Sequence, residues 1–375
     1  MRARILPPTL ENLKLIALAL KNGELVGLPT ETVYGLAANG FNPVALAQVF
    51  ETKERPTFDP LIVHVGPSQK SLAKLEQMKV VDPSVLSLSV RHQVEGLMQA
   101  FWPGPLTLIL PKHPHVPDLV TSGLPSVGVR MPVHPVAQNL LEQLPFPLAA
   151  PSANRFGRIS PTSAQAVADE LGDRMDWILD GGPCGIGVES TILLIHPQVP
   201  EQIQLLRSGG VSLERLQTHL GFSISRQTPV GSSHAFAAPG MLESHYAPGK
   251  PFLLFPKPLD QITDSELICF FETLVQKFFK PLVWGVLLQK GAPEAFNRRL
   301  SLLTKIPLLI RSLSEAGDLK ERAHRLFSEM RGLDATSAEI LIAEPCAEEN
   351  GLAQAISDRL TRASAHSRSR LALAK

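Results

Sequence analysis

Cysteine is scarce. Cys184, Cys269 and Cys346 are the only three in 375 residues, and their wide, odd-numbered spacing without C-x-x-C excludes a disulfide framework and a zinc site. A reducing cytoplasm is the expected compartment. Net charge is also nearly absent, with 36 Lys and Arg against 35 Asp and Glu, so the chain cannot coat nucleic acid or an anionic membrane by bulk electrostatics. Any RNA contact has to be local. No run of about 18 apolar residues occurs, and the amino-terminal MRARILPPTL breaks at Pro7 and Pro8 before an export signal can develop. GxxxxGK[ST] and GxGxxG are missing as well, so a nucleotide site here is neither a P-loop nor a dinucleotide fingerprint.

What is present gathers first at Pro29 to Leu36, PTETVYGL, directly after the apolar run Glu24 to Leu28. A strand that only needed to turn would use Gly, Asn or Pro. Thr30, Glu31, Thr32 and Tyr34 instead crowd donors and acceptors at the mouth of a sheet, either as a polar cap for a following helix or as a site. Before this stretch, Thr9 caps an expected helix carrying Leu13, Ile16, Ala17 and Leu20, which Asn22-Gly23 ends. After it, Pro43 to Phe50 reads as a helix leading into the basic loop Lys53 to Pro56. Leu61 to Val65 is a β-branched run suited to a buried strand, interrupted by His64, which is either a satisfied core histidine or a ligand.

Four further segments each couple a short apolar strand to a Gly/Pro/Ser loop: Phe101 to Leu110, Ser126 to Pro132, Pro147 to Ser163 and Asp180 to Ile195. Alternating with helices at Val136 to Leu144 and Ser163 to Leu171, they describe a mixed α/β sheet with functional loops at one end. Ile203 to Arg207 adds a strand and Ser212 to Leu220 a capped helix. Gly221 to Lys250 has the composition of a linker. Beyond it, strands are expected at Pro251 to Phe255, Leu282 to Leu288, Ile306 to Ile310 and Glu339 to Ala343. A helix over Asp318 to Arg331 buries Leu319, Ala323, Leu326, Phe327 and Met330. This alternation suggests a small parallel-sheet domain, followed by an Arg- and Ser-rich tail expected to fray.

Lys53, Arg55, Arg130, Arg155, Arg158 and Arg207 all fall in or beside these loops. Guanidinium forks and backbone N–H groups near Ser152, Asn154, Ser160, Ser190 and Thr191 suit a polyphosphate. Cys184, in a GGPCG loop, is either a thiolate nucleophile or, as preferred, a small filler in a tight turn.

The ordered elements PTETVYGL, KERP with PLIVHV, WPGPLT, VGVRMP, APSAN and GVEST resemble the YrdC-type L-threonylcarbamoyladenylate synthases over residues 8–216. PGMLESHYAP and the ending RGLDATSAEILIAE with GLAQAISDRLTRAS resemble the longer, two-domain branch of that family. The resemblance implies a YrdC-like twisted mixed sheet with helices in a catalytic domain over 1–216. A linker or lid over 217–250, a smaller Rossmann-like parallel-sheet α/β domain over 251–364 and a basic tail over 365–375 would follow. It also implies condensation of L-threonine, bicarbonate and ATP into threonylcarbamoyl-AMP and pyrophosphate, with Mg²⁺ entering alongside ATP and no metal site on the protein. A downstream tRNA threonylcarbamoyl-transfer machinery would consume the product, and a weak direct tRNA contact is compatible with the family; no membrane partner is implied.

Carried over by motif position, Thr32, His64, Arg130, Ser190 and the backbone at Ala150 would hold threonine. Arg55, Asp59, Ser152, Ser160, Arg207 and Tyr246 would hold ATP, with Lys53 and Arg55 as the catalytic cations. No protein nucleophile is needed, since positioning two anions and stabilising charge on the transferring phosphorus suffice. The family commonly has Asn-Pro where this chain has Asp59-Pro60, so the Asp59 carboxylate is expected to reach adenine, ribose or magnesium. An RNA-binding module with a basic concave surface is the alternative from another class, and a carbamoyl transferase of the hydrogenase-maturation type is the third.

Overall fold

Thr9 accepts a hydrogen bond from the Asn12 amide at 3.2 Å and so starts the helix Leu10–Lys21, whose Leu13, Ile16, Ala17 and Leu20 are buried. The chain then enters a sheet through residues short enough to pack against it. These features belong to a computed structural model that describes residues 3–226, 244–277, 283–304 and 306–373. The described residues form two compact units, one of 3–156 and 160–226, the other of 157–159 and 244–373. No helix among them is long and apolar enough to cross a membrane.

The first unit's strands are β1 (Arg4–Leu6), β2 (Val26–Leu28), β3 (Gly35–Asn39), β4 (Ile62–His64), β5 (Leu106–Pro111), β6 (Ser126–Arg130), β7 (Leu148–Ala149), β8 (Trp177–Leu179), β9 (Thr191–Ile195), β10 (Ile203–Arg207) and β11 (Ser225–Arg226). Among the described residues they form one eleven-stranded mixed sheet in the order β1-β8-β2-β3-β7-β4-β6-β5-β9-β10-β11. The antiparallel neighbours are β2 with β3, β3 with β7, β7 with β4, β6 with β5, and β9 with β10. β11 pairs in parallel with β10, so part of the expected linker belongs to this sheet. Residues 227–243 of that linker, with the PGMLE of its motif, lie outside the described residues.

Period-two alternation decides which side chains face the site. Val63 of β4, Val129 of β6 and Leu106, Leu108 and Leu110 of β5 join one core, into which the helix Leu88–Phe101 inserts Val90, Val94, Leu97 and Met98. Their neighbours Ile62 and Ile109 face the opposite side with Ile192 and Leu206. His64, Arg130 and Thr107 lie at register-paired positions on that second face.

In the second unit, β12 (Phe252–Leu254), β13 (Trp284–Leu288), β14 (Leu308–Ser312) and β15 (Ile340–Ala343) form a four-stranded, wholly parallel sheet in the order β12-β15-β13-β14. The α/β parallel-sheet expectation therefore holds, although the third strand starts two residues later than its hydrophobic run suggested. The helix Leu319–Asp334 buries Ala323, Leu326, Phe327 and Met330. The expected frayed tail is instead helical, because the helix Leu352–Leu373 buries Ile356, Leu360 and Ala363, and Ser367 Oγ accepts from the Phe252 amide at 3.0 Å.

Leu108→Ala empties a fully buried position between β6 and β9 and should cost about 2–5 kcal/mol. A urea titration followed by circular dichroism should show the first unit's transition moving to lower denaturant; an unchanged midpoint would contradict this packing.

Candidate active site

The polar row begins where β4, β6 and β5 stand in register, with His64 opposite Arg130 and Arg130 opposite Thr107. All three are buried, so each has to be satisfied inside the protein. Arg130 Nη1 donates to Thr32 Oγ1 at 2.8 Å, its Nε donates to the Gly104 carbonyl at 3.3 Å, and its Nη2 lies 2.7 Å from Glu31 Oε1. Thr32 Oγ1 also shares a 2.9 Å hydrogen bond with Thr30 Oγ1, which in turn donates to the Val33 carbonyl at 2.7 Å. The PTETV turn is thereby folded onto Arg130.

His64 Nδ1 lies 3.2 Å from the Ile62 carbonyl. Burial, with the Arg130 charge as the second cause, lowers its pKa from the usual 6.5 to about 3. The ring is neutral at physiological pH and offers a hydrogen bond rather than a charge. The Ala150 amide donates to the Ile62 carbonyl at 3.0 Å, so it is committed to the sheet.

On the other flank, Thr107 Oγ1 and Ser190 Oγ share a 2.8 Å hydrogen bond. Arg207, at the end of β10, donates from Nε to the Ser190 carbonyl at 3.1 Å and from Nη2 to Ser190 Oγ at 3.2 Å. A residue expected at threonine and one expected at ATP are therefore in direct contact. Gly209 permits this closeness, since a Cβ there would sit 2.3 Å from the Glu189 carbonyl oxygen. Ser160 Oγ donates to Glu189 Oε1 at 2.7 Å, fixing the segment from its other side.

Arg55 forms a buried ion pair with Asp59 at 2.8 Å and donates to the Asp59 and Pro60 carbonyls at 3.1 and 2.9 Å. The Asp59 carboxyl group faces a guanidinium; burial raises its pKa, and the charges of Arg55, Lys53 and Arg207 offset that rise only in part. The Lys53 ammonium donates to the Ser152 and Asn154 carbonyls, clamping the APSAN loop, which also bridges to Gly35 through Ser152. Burial first, then the Arg55 charge, lowers the Lys53 pKa well below its ordinary value.

Three further sequence-selected residues have these partners. Arg155 donates to the Glu170 carbonyl at 3.2 Å and lies 3.7 Å from Asp173. Arg158 packs in the second unit, 3.4 Å from Asp334. Tyr246 is likewise in the second unit, at φ 63°, with its buried ring 5.5 Å from Phe327 and the Arg359 guanidinium 5.4 Å from the ring centre. Cys184 is buried and its thiol is pushed up, by burial first and then by the Glu31 charge; a protonated thiol fits the filler reading. Thr107 and Glu189 were not selected, although each stands in a motif, beside Leu106 in WPGPLT and beside Ser190 in GVEST.

Buried guanidiniums at two points, joined by neutral hydroxyls, can hold two anions side by side. Residues 18–209 match the family model described as Telomere recombination, which groups Sua5, YciO and YrdC, and residues 211–365 match Threonylcarbamoyl-AMP synthase, C-terminal domain. A Pyrococcus abyssi protein named Threonylcarbamoyl-AMP synthase is 37% identical over 349 residues, 92% of each chain. The chain belongs to the threonylcarbamoyl-AMP synthase family. A Bacillus subtilis protein of the same name is 34% identical over 362 residues, 92% of this chain and 91% of that one. The crystal structure of P. abyssi Sua5 complexed with L-threonine is similar with a TM-score of 0.81 at 33% identity, covering 97% of this chain and 98% of that one. The family is one of nucleotidyltransferase-type enzymes.

Two outcomes follow from this geometry. Because the folded His64 has the lower pKa, the unfolded chain binds the extra proton between pH 6.5 and about 3. The corresponding stability is present above pH 6.5 and is lost as pH falls through that window. NMR of the labelled imidazoles should show His64 neutral at pH 5, and a ring titrating near 6.5 would refute its burial. Gly209→Ala forces the RSGG and GVEST backbones apart and should cost about 1–3 kcal/mol, read as a lower urea midpoint; wild-type stability would show that the close approach is unnecessary.

Proposed function

We propose that this chain condenses L-threonine, bicarbonate and ATP into threonylcarbamoyl-AMP and pyrophosphate. The observation that carries the reading is two hydrogen-bonded groups, Thr32–Arg130 and Thr107–Ser190–Arg207, brought level by the pairing of Arg130 with Thr107 across neighbouring strands. The P. abyssi relative's complex with L-threonine supports the amino-acid end. Arg130 would take the threonine carboxylate, with Thr32, the neutral His64, Ser190 and the Ala150 backbone around the rest of the molecule. Arg55, Arg207, Ser152 and Ser160 would face ATP. Tyr246 and Asp59 are carried as ATP residues on the resemblance alone, Asp59 by setting the Arg55 guanidinium.

The chemistry asked of these groups is electrostatic. A carbamate oxygen attacks the α-phosphorus while pyrophosphate leaves, and charge builds on oxygens that buried cations stabilise more strongly than water would. Arriving phosphates would also favour the charged form of Lys53, which burial disfavours in their absence. Among the described residues no group of three or more His, Cys, Asp or Glu could hold a metal, and Asp59 is engaged by Arg55. Magnesium would arrive on the phosphates of ATP.

The product would serve threonylcarbamoyladenosine formation beside the tRNA anticodon through separate transfer machinery. Free Cys184, Cys269 and Cys346 suit the cytoplasm, the compartment we propose. A tRNA-binding reading draws less support, because Arg55, Arg130 and Arg207 are buried and suit an enclosed small anion better than a polynucleotide backbone.

Pyrophosphate release from ATP and Mg²⁺ should require L-threonine and bicarbonate together. Release indifferent to threonine would defeat the proposal. Arg130→Lys, which keeps the charge and loses the planar fork, should raise KM for threonine by about 10–100-fold with a smaller change in KM for ATP.

A further inference from the structure

Glu31 is the one acidic side chain of the PTETV turn. Its side chain is 9% exposed and that of its partner Arg130 is 4% exposed, and the two lie 2.7 Å apart. Neither Glu31 oxygen accepts a hydrogen bond from the described residues, and Arg130 Nη2 makes none. The contact is therefore one of charge, off the direction a hydrogen bond requires. The Ile186 amide donates to the Glu31 carbonyl at 2.7 Å and fixes the backbone that carries this carboxylate. Buried carboxylate oxygens without donors are costly and uncommon, and here they stand beside the guanidinium assigned to the substrate carboxylate.

The other titratable groups sensing Glu31 do not supply the missing donor. His134 has a pKa lowered by burial, with the Gly181 carbonyl and the Glu31 charge opposing that shift. The Cys184 thiol is pushed up, as described. An α-amino acid carries its ammonium one carbon from its carboxylate. With its carboxylate anchored on Arg130, such a molecule would have its ammonium within reach of the oxygens that lack donors, opposing the Arg130–Glu31 dipole with charges matched at both ends.

Resting on the assignment of threonine to Arg130, we propose that Glu31 receives the α-ammonium of the amino acid and takes the proton that must leave before its nitrogen can react. In balance, R–NH₃⁺, Glu31–COO⁻ and HCO₃⁻ give R–NH–COO⁻, Glu31–COOH and water. The N–C bond forms, one C–O bond of bicarbonate breaks, and the departing hydroxyl leaves as water with the second amine proton. Glu31 returns its own proton to solvent after turnover. The same contact makes Glu31 a specificity residue, because a 2-hydroxy acid of threonine's shape presents no cation to it.

The test is calorimetric titration of the full chain at pH 7 with L-threonine and with 2,3-dihydroxybutanoate, the analogue in which a hydroxyl replaces the ammonium. Wild type should prefer threonine by at least about 10-fold. Glu31→Gln should lose that preference by weakening threonine while leaving the hydroxy acid unchanged or tighter. In the steady state, the deficit of Glu31→Gln against wild type should be about 100-fold at pH 7 and shrink towards pH 9.5, as solvent deprotonates the amine. Glu31→Asp should restore part of the preference. A parallel loss of both ligands in Glu31→Gln would mean that Glu31 only holds Arg130 in place, and the proposal would fall. If Glu31→Gln does not fold, the wild-type comparison still decides: equal affinity for the two ligands overturns the role of Glu31 while leaving the threonine site standing. No wild-type heat with threonine would instead remove the threonine assignment itself.

Discussion

The cross-strand register of β4, β6 and β5 is the constraint on which the site depends. Val63, Val129 and Leu108 supply one face of these strands to the main core, and the same alternation turns His64, Arg130 and Thr107 the other way, level with one another. A slip of one residue in any of these strands would exchange the faces, burying Arg130 among aliphatics and exposing valine where the guanidinium belongs. Core packing and site geometry are thus set by one register.

Burial then determines the chemistry of the row. The environment that keeps Arg130 and Arg55 from water strengthens their attraction for an anion, and the carboxyl groups of Glu31 and Asp59 lie against them where no ligand contributes. The same burial removes charge from groups without such a partner: His64 is neutral and the Cys184 thiol protonated. A protein-bound nucleophile is disfavoured in this setting, whereas fixed cations and neutral hydrogen-bonding groups are retained. That division suits a reaction in which two bound anions react with each other.

Much of this was legible from the chain. The strand-to-polar-loop junctions, the helix begun by Thr9 and the alternating second unit follow from hydrophobic period and cap chemistry, which are local. Thr32, His64, Arg130, Ser190 and Arg207 were named through the resemblance of their motifs to a family, and the structure joins Thr32 to Arg130 and Ser190 to Arg207 by hydrogen bonds. The partners of Asp59 and Lys53 were not legible, since charge type alone does not say whether a cation faces a carboxylate or a carbonyl. Here Asp59 faces Arg55, and Lys53 faces the carbonyls of Ser152 and Asn154. The tail was misread because its Arg and Ser content resembles a solvated end, whereas Ile356, Leu360 and Ala363 anchor its helix against a neighbour only tertiary structure supplies.

By itself the sequence determined the element types and the parallel second sheet, because these rest on hydrophobic period and capping within a few positions. Tertiary structure alone decided the partners. Glu31 meets Arg130 across 98 intervening positions, Ser190 meets Thr107 across |i−j| of 83, and Ser160 meets Glu189 across |i−j| of 29. Such pairings depend on strand order and register, which no local pattern encodes, and in a low-dielectric interior the partner determines whether a group is charged, neutral or committed.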